Sequence, residues 1–345
     1  MKVVLFKFNY LGDNIVFVSA VQSLRARFPA WHLTLLTNPN EADLYRGPLG
    51  PQEIITCPKI TFNKAYRKPW VLASWIWRVR RLRPDACLVP FDQSNVAHLV
   101  AKFSGARIRV GGNLENIRVP GSLTEEVPIP EDGRPVTWNW RMAGALVRLA
   151  GMDAHWPDDP PAPDFAHLLS QSVKTGSGRK RVVVHAGANK IFKQWPRDRF
   201  ESVAVALSRD FEVVWIDHGS TTGPAPKGTI PALVSTLGEL ATRLAGANLF
   251  LGNNSGPMHM ANALGCPGVV VTGPSAFGWD PYWHPERWTV LRHPNLYCAP
   301  CEKANKDLGI CTNTASPMAC MDYWTDERVE AVCRLQLNCD MKPGL

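Results

Sequence analysis

The segment from Gly252 to Pro274, GNNSGPMHMANALGCPGVVVTGP, constrains the fold more than any other stretch of this 345-residue chain. It opens with a turn of small polar residues and continues as MHMANAL at helical spacing. After Cys266-Pro267 it becomes the β-branched run GVVV, and it ends on a second glycine turn. Turn, short helix and buried strand in such quick succession belong to layered α/β architecture. A helix starting at Ser255-Gly256 points backbone N–H groups and the positive end of its dipole out of the loop, which is an anion site. Phosphate is the commonest anion in that position, so a phosphorylated ligand is the first expectation.

The same alternation runs through the whole chain. In the first half, strands are expected at Val3–Phe8, His32–Leu36, Ala86–Pro90 and Arg107–Val110, with helices near Asn14–Phe28, Trp70–Arg83, Ser94–Phe103 and Trp138–Ala150. Pro157, Pro160, Pro161 and Pro163 then interrupt regular structure, and Gln171–Arg181 is polar, basic and glycine-bearing, as a hinge would be. After it, strands are expected at Val182–His185, Glu212–Ile216, Asn248–Leu251 and Gly268–Val271. Helices are expected near Asp198–Ser208, Leu237–Ala245, Gly256–Leu264 and Asp326–Leu337. The length favours two domains. The expected division is 1–165, a linker 166–181, a second domain 182–325, and a C-terminal helix and tail 326–345. Two open sheets in series leave a cleft, and their ligands bind beyond the carboxyl ends of the strands.

Composition narrows the partners. Hydrophobic content of 45% with 20% charged residues describes a globular protein. Lys+Arg 38 against Asp+Glu 30 gives +8, which suits a nucleotide, a phosphorylated glycolipid or an anionic membrane face. A solvated basic surface explains the same number, and no nucleic-acid partner is expected. The N-terminus enters VVLFKF without the features of an export signal. No apolar run approaches the roughly 20 residues that span a bilayer. A cytoplasmic location is expected, with room for association at the inner face of the membrane. Nine cysteines in a reducing compartment read as thiols or metal ligands.

Two loops stand out. The first strand leads through Asn9-Tyr10 to Leu11-Gly12-Asp13, followed by a helix with Ile15, Val18, Val21, Leu24 and Phe28 on one face. Asp13 is placed either as an N-cap or as a carboxylate facing the cleft. After the hinge, the strand VVVH opens into Ala186-Gly187-Ala188, continues to Lys190 and Lys193, and closes at Trp195-Pro196. Small residues admit a ligand to the backbone, and a lysine there can neutralise a diphosphate as a point charge. Lysines in loops are more often simply solvated.

Taken in order, LGD after the first strand, H-A-G-x-x-K-x-x-K-x-W-P after the hinge, and N-S-G-x-x-H followed by A-L-G-x-P and G-P make a set. That set resembles glycosyltransferase family 9, the bacterial lipopolysaccharide heptosyltransferase family. The cysteine spacing Cys298, Cys301, Cys311, Cys320 before the last helix also resembles many of its members. The resemblance runs from about Lys2 to Leu337. It implies a GT-B fold: two Rossmann-like, doubly wound α/β domains facing a central cleft. It also implies an inverting transfer from a nucleoside diphosphate sugar, ADP-heptose first among them, with no covalent intermediate and no obligatory catalytic metal. The acceptor would be a lipopolysaccharide core or another cell-envelope glycan. A protein acceptor with the same donor, a sugar-nucleotide epimerase, or a scaffold without catalysis are the alternatives.

Carried over position by position, the resemblance makes Asp13 the general base that takes the acceptor hydroxyl proton, and Lys193 the partner of the donor diphosphate. Ser255, Gly256 and His259 would bind the departing diphosphate, Gly187 and Ala188 would line the donor site, and His218 would lie near the ribose and base. On packing grounds alone His259 would be a core histidine, His185 a structural one, and Trp195-Pro196 a packed lid. One departure is clear. The family usually has an acidic residue before Ser-Gly, and this chain has Asn254. The amide loses the charge and gains donors, so it either alters donor-sugar recognition or serves as an N-cap.

Four cysteines within 23 residues, opened by C-x-x-C, can form a tetrahedral thiolate site for a structural zinc or iron. Reduced thiols or a disulfide are the other readings. Cys57, Cys87, Cys266, Cys333 and Cys339 read as ordinary thiols. Acceptor recognition is expected in the first half, where Lys64, Arg67 and Lys68 precede a helix in a loop. In that helix Trp75 and Val79 are expected inward, with Arg78, Arg80, Arg81 and Arg83 solvated.

Overall fold

The computed structural model describes residues 1–91, 93–112, 117–152, 155–170, 178–217, 224–301, 311 and 313–338. They form two compact units, Met1–His167 and Leu168–Leu345.

The first unit contains β1 (Lys2–Lys7), α1 (Leu11–Arg27), β2 (His32–Thr37), β3 (Glu53–Thr56), α2 (Lys59–Asn63), α3 (Pro69–Arg81), β4 (Ala86–Val89), α4 (Asn95–Phe103), β5 (Ile108–Gly111), β6 (Glu125–Glu126) and α5 (Pro135–Leu149). Every strand pairing is parallel, in the order β3-β2-β1-β4-β5-β6. Both faces of such a sheet are covered by helices, so its central strands are apolar throughout. All four residues of β4 and all of β1 after Lys2 are buried. Helix α1 departs from the single apolar face expected of it. Val16, Phe17 and Ala20 are buried along with Ile15, Val18 and Val21, because α1 lies between the sheet and further helical segments, and a helix covered all round is apolar all round.

The second unit contains β7 (Arg181–His185), α6 (Arg197–Ser208), β8 (Glu212–Asp217), β9 (Ile230–Leu233), α7 (Leu237–Ala245), β10 (Leu249–Asn253), α8 (Gly256–Ala263), β11 (Gly268–Val271) and β12 (Trp288–Leu291). A short helix, Ala319–Asp322, and a C-terminal helix, Asp326–Asn338, follow. The strands are again parallel, in the order β12-β11-β10-β7-β8-β9. Counted from the first strand of each unit, both sheets have the doubly wound 3-2-1-4-5-6 order. The C-terminal helix sends Val329, Cys333 and Leu337 into the core of this unit with Phe200, Val203 and Leu207 of α6.

Winding reverses between β1 and β4, and between β7 and β10, so each unit has a ligand crevice beyond the carboxyl ends of those strands. The four strands absent from the sequence expectation are β3, β6, β9 and β12, and all four are sheet edges. Edge strands are short, and β9 contains Pro231, which only an edge tolerates. No described helix is long and apolar enough to cross a membrane.

Candidate active site

In the second unit, the loops leaving β7 and β10 are tied together by one buried amide. Asn253, with no exposed surface, accepts the Trp195 backbone N–H through Oδ1 at 2.8 Å. Its Nδ2 donates to the Ala186 carbonyl at 2.8 Å and to the Gly187 carbonyl at 3.4 Å. Trp195 is itself buried, its indole donating to the Trp324 carbonyl at 2.9 Å and meeting Phe200 edge-on. Gln194 Nε2 donates to the Ala188 carbonyl at 2.7 Å. The loop is thus pinned at both ends, and the 3₁₀ turn Ile191–Lys193 between them presents the half-buried Lys193. A Cβ at position 187 would lie 3.2 Å from the His185 ring, so any larger residue there requires that ring to give way.

Helix α8 starts at Gly256 with Ser255 as N-cap, but Ser255 caps nothing with its side chain. Its hydroxyl donates to the Asn253 carbonyl at 3.3 Å. Pro257 in the first turn has no N–H to offer, so the helix presents fewer backbone donors than a phosphate turn without proline. Those that remain carry the positive end of the dipole without a capping side chain. The N-cap reading of Asn254 does not hold. Its Nδ2 donates to the Trp279 carbonyl at 3.0 Å, so the amide is used as a donor in a place where a carboxylate has none. Trp279 in turn lies edge-on to His259, with ring centroids 5.7 Å apart.

His259 is buried, and its pKa is pushed down to about 3, first by burial and then by the Lys193 cation. Lys193 and His259 are therefore neighbours, the lysine supplying charge and the imidazole only a neutral donor or acceptor. His98 in α4 is held down to about 4 by burial alone, with Nδ1 against the Ser122 hydroxyl at 2.9 Å. Both values lie below the ordinary 6.5, so as pH falls the unfolded chain takes up protons that the folded one refuses. Their stabilising effect is complete above pH 6.5 and is lost as pH drops toward the folded values. The slope is about 1.4 kcal/mol per pH unit for each histidine. Urea midpoints are expected to fall from pH 7 to pH 5, and less steeply in His98→Gln; an unchanged slope in that variant would remove His98 from the account.

In the first unit, α1 begins three residues earlier than an N-cap at Asp13 requires. Tyr10 is the N-cap, and Asp13 is a partly exposed member of the first turn. Asn14 fixes this start by donating to the Asn9 and Tyr10 carbonyls at 2.8 and 3.1 Å, and its Oδ1 accepts the Tyr45 hydroxyl at 2.9 Å. The carboxylate of Asp13 is left near the buried Glu41, on the 3₁₀ helix Pro39–Tyr45. Glu41 is pushed up by burial; the Asn38 amide and Lys59 pull it down, and Asp13 pushes it up further. The Lys59 ammonium lies 4.1 Å from the Tyr10 ring centroid. Across the crevice floor, Gln93 Oε1 accepts the Phe8 N–H at 3.1 Å and Gln93 Nε2 donates to Asn9 Oδ1. Each unit therefore has its crevice loops tied by a buried amide side chain.

Lys64 and Arg67 lie on a 3₁₀ helix, Lys64–Arg67, and Lys68 is the N-cap of α3; all three are exposed. The expected loop is helical because Phe62 and Ala65 are drawn into the core, Phe62 stacking on Phe8 at 3.9 Å and meeting Trp75 edge-on. The cation brought beside Tyr10 is Lys59, which the sequence reading did not single out. Nor did it single out Asn253, Glu41 or Gln93. A signal was available for Asn253, an amide ending an apolar strand. His218 lies outside the described residues.

Cys320 is buried and its thiol is pushed up to about 11, by burial first and then by Cys301, Cys311 and Cys298. The four thiols are thus neighbours. Cys298 Sγ accepts the Asn313 amide at 3.5 Å and Cys311 Sγ accepts the Met318 N–H at 3.4 Å. Among the described residues no three His, Cys, Asp or Glu side chains stand in metal-ligating geometry, so proximity exists without coordination distances. None of the eight described cysteines forms a disulfide; Cys57, Cys87, Cys266 and Cys333 are buried thiols. Cys339 lies outside the described residues.

Comparison with known proteins agrees with this arrangement. The chain is 29% identical to lipopolysaccharide heptosyltransferase 3 of Escherichia coli over 293 residues, 77% of this chain and 81% of that protein. The fold matches the structure of E. coli ADP-heptose lipopolysaccharide heptosyltransferase II with a TM-score of 0.68 at 20% identity, covering 98% of both chains. It also matches the iron-containing dodecameric glycosyltransferase TibC from enterotoxigenic E. coli H10407, with a TM-score of 0.61 at 17% identity, covering 97% of this chain and 75% of that one. The model of glycosyltransferase family 9 (heptosyltransferase) matches residues 80–311. With two doubly wound sheets of the GT-B kind and the family's motifs at the carboxyl ends of their strands, the chain is a glycosyltransferase and belongs to glycosyltransferase family 9.

Proposed function

We propose that the protein transfers a heptose from ADP-heptose, with inversion at the anomeric carbon, to a lipopolysaccharide-core or other cell-envelope glycan. The observation that carries this reading is the Lys193–His259 pair beside the uncapped start of α8. A cation, a neutral imidazole and first-turn N–H groups together suit a diphosphate that gains charge as it leaves. Gly187 and Ala188 leave the backbone open to the donor. On the other unit, Asp13 removes the proton from the acceptor hydroxyl as that oxygen attacks the anomeric carbon and the C–O bond to the diphosphate breaks. Lys64, Arg67 and Lys68, all exposed, would meet acceptor phosphates or carboxylates. Such chemistry belongs at the cytoplasmic face of the inner membrane, where a nucleotide sugar is available.

Mass spectrometry of a nucleotide-sugar panel with and without a core-oligosaccharide acceptor tests the proposal. Transfer from ADP-heptose with release of ADP is expected; conversion of the donor without acceptor would point to an epimerase instead, and modification of a co-expressed protein to a protein acceptor. Asn254→Asp belongs in the same panel. Replacing the amide that donates to the Trp279 carbonyl sets two acceptors against each other, at about 1–3 kcal/mol. A lower melting temperature and a raised donor KM are expected, and an unchanged donor KM would separate Asn254 from sugar recognition.

We further propose that the cysteine cluster takes up a structural zinc or iron. What supports this reading is the donor set itself: Cys298, Cys301, Cys311 and Cys320 lie near one another, and Cys298 and Cys311 accept N–H hydrogen bonds, although the sulfurs would have to draw together to coordinate an ion. Such an ion would pin the segment around Cys298, Cys301, Cys311 and Cys320 and take no part in transfer. About one metal per chain is expected by elemental analysis of the purified protein, lost together with some melting temperature in Cys298→Ser/Cys301→Ser. A metal-free wild type would leave the four as thiols.

A further inference from the structure

Helix α3 has two aromatic faces, and the core accounts for one. Trp75 and Val79 are buried, with Val71, Leu72, Ile76 and Leu82 packed beside them. On the far side Trp70 is 70% exposed and Trp77 57% exposed. Ala73, Ser74, Arg80 and Arg81 are exposed with them. Positions 70, 73, 74, 77 and 81 recur at steps of three and four, so they form one outward stripe. The Arg81 guanidinium stacks 4.6 Å from the Trp77 ring centroid. The segment just ahead adds Ile60 at 67% and Tyr66 at 57% exposure.

Charge sets this surface apart. From Cys57 to Pro84 the chain has eight lysines and arginines and no aspartate or glutamate. A helix face that is merely solvated mixes both signs, and single exposed apolar residues need no explanation. Two tryptophans on one stripe, bordered by arginines and without a carboxylate, are a different pattern. Indole rings prefer the boundary between apolar and aqueous media, and arginines around them pair with phosphates. The stripe is exposed along its whole length, from Trp70 through Ala73, Ser74 and Trp77 to Arg81, and its cationic border complements an anionic surface. The helix is too short and too charged to span a bilayer, and no described helix does so.

We infer that the outward stripe of α3, with the segment before it, docks the protein on an anionic phospholipid bilayer, seating Trp70 and Trp77 among the headgroups with Arg80 and Arg81 on lipid phosphates. The mode is that of an interfacial amphipathic helix. This goes beyond the transfer reaction and does not depend on which sugar is moved.

Sedimentation of the full chain with vesicles tests it. Phosphatidylglycerol–phosphatidylcholine vesicles are expected to carry the protein down, and phosphatidylcholine vesicles to do so far less, with binding falling as salt rises. Trp70→Ala/Trp77→Ala should weaken partitioning about tenfold or more. Arg80→Gln/Arg81→Gln should weaken it about fivefold for each cation removed. Because all four side chains are exposed, melting temperatures should match wild type. Lipids with brominated acyl chains should quench tryptophan emission in wild type but not in the tryptophan variant. Absent or charge-independent vesicle binding would overturn the inference. So would unchanged binding in both variants, binding to RNA or heparin without binding to vesicles, or self-association abolished by the tryptophan variant, which would assign the stripe to a second copy of the chain.

Discussion

Asp13→Asn is expected to lower kcat for sugar transfer by about 10²–10⁴-fold, while the affinity for ADP stays within about twofold of wild type. Asparagine keeps the size of the side chain and its place in the first turn of α1, but it cannot take up the acceptor proton. The structural cost is small, because a partly exposed first-turn carboxylate stabilises a helix by only about 0.3–1 kcal/mol. A large loss of kcat with little change in melting temperature would therefore report chemistry and not folding. Single-turnover assays with saturating donor separate the chemical step from binding. Near-normal kcat in this variant would remove Asp13 as the base, and the buried Glu41 beside it would be the next carboxylate to test.

Asn253→Ala is expected to destabilise the second unit by about 3–5 kcal/mol, because buried groups left unpaired each cost about 1–3 kcal/mol and are not fully additive. The Trp195 N–H and the Ala186 carbonyl both lose their partner, and the amide's volume is removed from a site with no access to water. Asn253→Asp should be nearly as severe, since a carboxylate can still accept from Trp195 but opposes the Ala186 carbonyl. Urea denaturation gives the stability, and donor KM in the remaining folded protein gives the consequence for the lysine loop. An Asn253→Ala protein that melts like wild type would mean that the two crevice loops hold their shape without this link.

Central strands were legible because both their faces are buried, so that RVVVH, LFLGN and GVVV stand out as apolar runs. The edge strands β3, β6, β9 and β12 were not, since half-covered strands such as EIIT or a two-residue EE have no run to detect. The site divided in the same way. Asp13, Lys193, Ser255 and His259 were nominated by motif order alone, and the structure places Lys193 near His259. Asn253 was hidden inside the same motif. Its role depends on Trp195 and Ala186, 58 and 67 positions away, and no local spacing encodes such a partner.

Asn254 and Tyr10 show the limit most clearly. Asparagine before Ser-Gly reads equally as a cap or a ligand group, and only the return of the chain through Phe277–Trp279 gave its amide a carbonyl to bind. Tyr10 is a poor capping residue, yet α1 starts there because Asn14 and Tyr45 satisfy the surrounding groups. The order of strands and helices, the two-unit division and the chemical character of the crevice loops follow from local apolar periodicity, which the chain carries in every segment. Which polar side chain meets which carbonyl, and which charge tunes which histidine, was decided by the tertiary structure, because those energies arise only when distant segments exclude water together.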